Sequence, residues 1–305
     1  MMKLGLVSAI LAGLSFEEVV DFAAEKGFSC LEMMCWPVGK AERRYAGVTH
    51  IDVSDISEDR IHYIKDYMKQ RGVEISALGY YPNPLDPDQE KSDFYVAHIK
   101  KMIVAAEKLG IKTICTFIGR DKNKNVEENF EKFKEIWPSI IRFAEEHDVK
   151  VAIENCAMYF SYDEWPGGVN LASSPAIWRR MFAEIPSDHF GLNYDPSHPL
   201  WMQMDYIKPI YEFKDKLFHI HIKDAKVFQD KLDDVGIMAT PLEFHSPKLP
   251  GLGDVNWGRF ISALTDIKYK GYACIEVEDK SFEDSLDDIK DSIVLSKRYM
   301  DQFVI

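Results

Sequence analysis

Residues 113–156 read TICTFIGRDKNKNVEENFEKFKEIWPSIIRFAEEHDVKVAIENC. The stretch opens on an apolar run of strand length (113–119), passes through a helical pattern (126–146) and closes on a second strand (149–156). Reading outward from it, the same order repeats in both directions. Further strands are expected at 3–9 (KLGLVSA), 30–36 (CLEMMCW), 73–80 (VEISALGY), 190–195 (FGLNYD), 217–223 (LFHIHIK) and 271–278 (GYACIEVE). Helices are expected at 15–26, opened by Ser15-Phe16-Glu17-Glu18 in capping-box order, at 57–71, opened by Ser57, and at 92–109. Later helices are expected at 173–184, 203–213, 256–267 and 283–303. Strand then helix, eight times without a Pro/Gly/Ser-rich linker, predicts an α/β fold, one (β/α)8 barrel over residues 1–305. Two connections are long for such a barrel, 37–56 and 224–255, and both follow strand C-termini, the face that carries function in this architecture.

The 305 residues hold 37 Lys+Arg against 50 Asp+Glu, a net charge of −13. That balance argues against a nucleic-acid partner, because phosphate affinity comes from Lys and Arg displacing counterions. No apolar run is long enough to span a bilayer. The opening MMKLGLVSAILAGLSFEEVV has the outline of a short signal peptide, but the barrel needs this segment as its first strand. Five cysteines, an odd number without a C-x-x-C pair, predict free thiols and a reducing cytoplasm.

Alternate residues of a barrel strand face the interior. Strand 149–156 directs Val149, Val151 and Ile153 one way and Glu154 the other; strand 190–195 turns Asn193 and Asp195 inward. Strand 217–223 turns His219, His221 and Lys223 inward, and strand 271–278 turns Cys274, Glu276 and Glu278 inward. Carboxylates gathered at one end of a narrow barrel repel one another unless a cation or protons compensate. Glu154, Asp195, His221 and Glu276 therefore form a candidate site for a divalent metal, Mn2+ first, with Co2+, Mg2+ or Zn2+ as substitutes. A hydrogen-bonded polar plug is the alternative reading of the same residues.

The segments VKVAIENC, GLNYDPSH, FHIHIKD, and PGLGDVNWGRF followed by GYACIEVED resemble the xylose isomerase-like family of sugar isomerases and epimerases. The opening LGLVSA and SFEEVVDFAAEKGFSCLEM are similar too, so the resemblance spans essentially the whole chain. It implies a metal at the four positions named and carbon-acid chemistry on a small sugar or glycoside. A proton on carbon beside a carbonyl is too weakly acidic for an ordinary base, so the implied cation binds the carbonyl and hydroxyl oxygens and stabilises an enediolate. Glu154 and Glu276 are then both ligands and acid/base groups, one removing the proton and the other returning it on the opposite face. His198 is implied as a substrate-hydroxyl contact or secondary acid/base, with a capping role as its alternative.

Other candidates are weaker. Glu32 and Trp36 share inward parity and are candidate substrate contacts, and His50 joins them if the first long loop folds inward, while the Arg43-Arg44 pair on that loop reads as solvated. His219 reads as a buried hydrogen-bonding residue. Epimerases of the family often carry an arginine shortly after the metal histidine, whereas here Lys223 and Lys226 stand in HIKDAKV, and Lys223 is the substrate-binding candidate. Prolines at 241, 247 and 250 disfavour helix in 224–255 and suggest a shaped lid, and PGLGDVNW reads as a turn into a helix rather than a phosphate loop.

If the carbon β to the carbonyl bears a leaving group, the same enolate expels it. The chain is similar to the catalytic subunits of C-glycoside deglycosidases and related 3-oxo-glycoside lyases, which work this way. They imply a small β-rich partner subunit; a homo-oligomer is the other expectation. The related endonuclease IV nucleases need a multi-metal cluster and a basic groove, which the charge opposes. A sugar-binding subunit without catalysis is the non-enzyme alternative.

Overall fold

A computed structural model describes residues 2–39, 45–159 and 162–304; the Arg43-Arg44 pair lies outside the described residues. Eight parallel strands close a barrel: β1 (Lys3–Val7), β2 (Cys30–Met34), β3 (Glu74–Gly79), β4 (Thr113–Thr116), β5 (Lys150–Glu154), β6 (Phe190–Tyr194), β7 (Leu217–Ile222) and β10 (Tyr272–Ile275). Between β7 and β10 a two-stranded antiparallel hairpin, β8 (Asp224–Val227) with β9 (His245–Lys248), stands outside the barrel. The helices are α1 (Phe16–Glu25), α2 (Glu58–Arg71), α3 (Gln89–Leu109), α4 (Val126–Glu146), α5 (Pro175–Glu184), α6 (Ser197–Trp201), α7 (Lys208–Glu212), α8 (Gln229–Val235), α9 (Trp257–Asp266) and α10 (Leu286–Met300). None of them is long and apolar enough to cross a membrane.

Local chemistry sets the helix ends. The Ser15 hydroxyl accepts from Glu18 N while Glu18 accepts from Ser15 N, and Asn125 with Glu128 does the same for α4. Gly72 and Gly110 close α2 and α3 in the left-handed conformation, at φ 67° and 78°. Outward side chains such as Leu31, Ile153, Leu192, Ile220 and Ile275 pack against the helices in the main core. Inward ones differ with height. Small side chains such as Cys30, Ala77, Cys115, Ala152 and Cys274 pack together inside the barrel, while Glu32, Ser76, Asn193 and His219 form a fully buried polar layer.

Two expectations need correction. The helix expected over 203–213 is short: Gln203 takes φ 58°, and the Asp205 side chain accepts from Ile207 N and Lys208 N, starting α7 only at Lys208. The lid segment, expected to avoid helix, contains α8, because its prolines begin at 241 and leave 229–235 free to coil. The lid is anchored at its root by Asp224, whose carboxylate accepts from the backbone N–H groups of Ala225, Gly251 and Val255 and from Trp257 Nε1.

Gly5 sits where β1 passes the small-residue interior. A Cβ there would lie 2.5 Å from Cys30 Sγ, 2.6 Å from the Cys30 carbonyl oxygen and 2.7 Å from Cys274 Sγ. One of these neighbours is backbone that cannot swing away, so Gly5→Ala is expected to destabilise the fold by about 3 kcal/mol, the upper part of the range for overpacking. Urea unfolding of the two proteins side by side measures it; a change below about 1 kcal/mol would show that the barrel floor yields.

Candidate metal centre

β5, β6, β7 and β10 are consecutive in the barrel wall, so inward residues at their C-terminal ends converge. One oxygen or ring nitrogen from each of Glu154, Asp195, His221 and Glu276 lies within 4.8 Å of all the others. Ligands about 2.0–2.3 Å from a common ion are spaced this way. Asp195 Oδ2, His221 Nδ1, Glu276 Oε2 and the adjacent His198 Nε2 are buried and have no hydrogen-bond partner among the described residues. Interiors rarely leave such atoms unpaired, and Asp195, His221 and Glu276, converging with Glu154, fit a divalent cation held by an oxygen-rich donor set with one imidazole.

The electrostatics agree. His221 Nδ1 lies 3.0 Å from Glu276 Oε2 and 3.7 Å from Glu154 Oε1, while His198 Nε2 lies 3.2 Å from Asp195 Oδ2 and 3.4 Å from Glu154 Oε1. Burial pushes the Glu154 carboxyl up, but His198 and His221 beside it outweigh burial and hold it well below the usual carboxylate range. For Glu276 burial wins, and with Glu154 and Glu278 nearby its carboxyl stays raised in spite of Lys223 and His221. Burial opposes the charge on Lys223, but Glu276, Glu278, Asp195 and Glu154 together hold its ammonium firmly protonated. Lys223 pairs with Glu278 and lies 3.6 Å from Glu276 Oε1.

Above this centre opens a cavity of about 680 Å3. Glu154, His198, Lys223, Glu276 and Trp36 line it. Trp36 packs its edge against Tyr80, with ring centroids 4.9 Å apart. Glu32 and His50 do not line it, which corrects their reading as substrate contacts. Glu32 is fully buried one layer below, where it accepts from Tyr81 and meets His221 Nε2 at 2.7 Å. His50 is turned away because its segment pairs along the end of β2, Cys35 with Thr49 and His50 N with Met34 O. Its ring meets Ser8 Oγ at 2.9 Å and the Leu11 carbonyl at 3.2 Å. His219 is hydrogen-bonded in the buried layer, 3.0 Å from both Asn193 Oδ1 and Ser76 Oγ. With Glu32 and Cys115 it forms a second candidate cluster, but its ring nitrogens are both engaged there.

Sequence reading missed part of the wall. Cys156 lies within ligand distance of Glu154 and His198, two residues beyond a glutamate already singled out. Trp201 follows His198 by one turn of α6 and donates Nε1–H to His198 Nδ1 at 3.4 Å. His245 stacks on Trp201, ring centroids 4.7 Å apart at 20°. No periodicity could have found it, since it belongs to a hairpin inside the long loop.

Burial, with the charges of His198 and Lys223, pushes His245 down to about 4. Its folded pKa lies below its unfolded one, so the stability it contributes is present above about pH 6.5 and is lost as the pH falls toward 4. After discounting for partial exposure, the wild type should lose about 1 kcal/mol more than His245→Phe between pH 7 and pH 5. Urea unfolding of both proteins at the two pH values checks this; equal losses would refute it.

Over 312 aligned residues the chain is 26% identical to the uncharacterized protein YfiH of Bacillus subtilis (strain 168), covering 91% of this chain and 93% of that one. Its fold is similar to that of the IolI protein with a bound zinc atom, with a TM-score of 0.72 at 17% identity over the whole of both chains. It is also similar to that of 3-keto-D-glucoside 4-epimerase, YcjR, from E. coli, with a TM-score of 0.69 at 17% identity over 98% of this chain and all of that one. The family model described as xylose isomerase-like TIM barrel matches residues 20–299, and with the closed eight-stranded barrel this places the chain in the xylose isomerase-like TIM barrel family.

Proposed function

We propose that this protein is a divalent-metal-dependent enzyme that moves a proton on the carbon beside a carbonyl of a sugar or keto-sugar, an isomerase or epimerase. The observation that carries the reading is the convergence of Glu154, Asp195, His221 and Glu276 at the cavity floor, with Asp195 Oδ2, His221 Nδ1 and Glu276 Oε2 lacking a hydrogen-bond partner among the described residues. The chemistry that a divalent cation supplies when bound there is Lewis acidity toward a substrate carbonyl; Mn2+ is the first choice, with Zn2+, Co2+ and Mg2+ as alternatives. Glu154 and Glu276 enter from β5 and from the end of β10, with β6 and β7 between them in the wall, so each can face a different side of a bound sugar. One takes the proton and the other returns it. His198, held by Trp201, faces the cavity where it can donate to a substrate hydroxyl. Lys223, kept charged by its carboxylate neighbours, does the same from the end of the adjacent strand β7.

A second reading, elimination from a 3-oxo-glycoside, is favoured by the cavity. At about 680 Å3 it has the size of a drug-sized ligand site, more than a free sugar fills, and Tyr159, Trp201 and His245 give it an aromatic wall. The similarity in fold to YcjR, a 3-keto-D-glucoside 4-epimerase, makes 3-oxo-glycosides the first substrates to try. A small β-rich subunit or a second copy of the chain belongs to this reading as a proposed partner.

Proton NMR in D2O tests both. With Mn2+ added and removed before the spectra are taken, ketoses and 3-oxo-glycosides should exchange hydrogen for deuterium at carbon. An epimerised sugar indicates the first reading, and a released aglycone the second. Metal-independent exchange, or none across the panel from protein with confirmed bound metal, would count against the proposal.

A further inference from the structure

His221 presents its two ring nitrogens to different surroundings. Nδ1 is aimed at the metal centre, 3.0 Å from Glu276 Oε2, without a hydrogen bond. Nε2 points down into the buried polar layer, where its two nearest neighbours ask for opposite things and the Tyr81 hydroxyl is a third, at 3.4 Å. Glu32 Oε2, at 2.7 Å, is a carboxylate oxygen that can only accept. Asn193 Nδ2, at 2.9 Å, is an amide nitrogen that can only donate. If Asn193 prevails, Nε2 accepts, the proton sits on Nδ1, and that nitrogen cannot bind a metal. If Glu32 prevails, Nε2 carries the proton and Nδ1 presents its lone pair to the centre.

The hydrogen-bond directions in the rest of the layer favour one arrangement. Glu32 Oε1 accepts from the Tyr81 hydroxyl, so Tyr81 is a donor there and its oxygen can also accept. Asn193 Nδ2 lies 3.2 Å from that oxygen and donates to it. Asn193 Oδ1 accepts from His219 Nδ1, and His219 Nε2 accepts from Ser76 Oγ, each at 3.0 Å. The run from Ser76 through His219, Asn193 and Tyr81 to Glu32 thus has one consistent direction, and it leaves Glu32 to take the proton of His221 Nε2. A charged acceptor also makes the stronger bond.

Resting on the metal reading above, we propose that Glu32 is a positioning residue: it holds His221 in the tautomer whose Nδ1 can ligate, against the competing offer from Asn193. Glu32 reaches neither cavity nor metal ligands other than His221, so it acts through that ring. Partners of this kind behind a ligating histidine are worth about 10–100-fold in metal affinity.

Two measurements decide it. Glu32→Leu leaves Nε2 with Asn193 Nδ2 at 2.9 Å and the Tyr81 hydroxyl at 3.4 Å, without the carboxylate that accepts its proton, so its Mn2+ affinity by calorimetry should fall about 10–100-fold, and Glu32→Asp should recover part of the loss. Unchanged affinity in Glu32→Leu would overturn the proposal. Independently of any variant, histidine 15N NMR of the Zn2+-loaded wild type should show His221 protonated at Nε2, with its proton shifted downfield by the bond to a carboxylate. A proton on Nδ1 in that spectrum would overturn the proposal even if Glu32→Leu does not fold. A wild type that binds no divalent metal would refute the metal centre itself, a failure distinct from either of these.

Discussion

Glu154→Gln and Glu276→Gln are each expected to lower kcat by about 10^3-fold or more, with circular dichroism unchanged. General acid/base catalysis contributes about 10^2–10^4-fold, and each of these glutamates is also placed to hold the cation. Gln keeps the size of Glu and one oxygen able to contact a metal, so the fold and part of the binding should survive while proton transfer does not. The two sites differ in surroundings: Glu154 is engaged by two imidazoles, whereas Glu276 faces Lys223 as well as His221. Both losses should nevertheless be severe, because a proton taken from carbon on one face must be returned on the other. Steady-state kinetics on the substrate found by deuterium exchange measures this. A variant retaining more than a tenth of wild-type kcat would remove that residue from the mechanism.

Asp195→Ala is expected to abolish metal stabilisation. One Asp195 oxygen accepts from Ser197 N at 2.7 Å and so fixes the carboxylate, while the other lies beside His198 Nε2, without a hydrogen-bond partner among the described residues. Removing it takes away a charged ligand, and the affinity loss should exceed the roughly 10–100-fold seen when a partner behind a ligand is lost. Mn2+ at about 100 times its Kd should raise the unfolding free energy of the wild type by about 2.7 kcal/mol and leave Asp195→Ala unmoved. Thermal and urea unfolding with Mn2+ and with EDTA give the comparison; equal stabilisation of the two proteins would place the metal elsewhere.

The barrel and its candidate centre were legible because both depend on a period of two. Once β5, β6, β7 and β10 were located, parity alone turned Glu154, Asp195, His221 and Glu276 inward at adjacent C-terminal ends. Parity says which way a side chain faces but not how high it sits. Glu32 faces inward as expected, yet it lies a layer too deep to meet a substrate, and its partners Tyr81 and His221 come from just past β3 and from β7. His50 was misplaced for a different reason, since the direction of a loop depends on its pairing with β2. The lid hid the most: β8, β9 and α8 were read as irregular from their flanking prolines, so the stack of His245 on Trp201 had no signature in the chain. The failed helix over 203–213 turned on one left-handed residue, Gln203, and on the turn in which the Asp205 side chain accepts from Ile207 N and Lys208 N.

The central claim is that Glu154, Asp195, His221 and Glu276 hold one divalent cation at the cavity floor. An anomalous difference map from Mn2+-soaked crystals, recorded at the manganese edge, addresses it without reference to any substrate. The account predicts one strong peak about 2.0–2.3 Å from a carboxylate oxygen of each acid and from Nδ1 of His221. No peak there at saturating Mn2+, or a peak ligated through His221 Nε2, would contradict it.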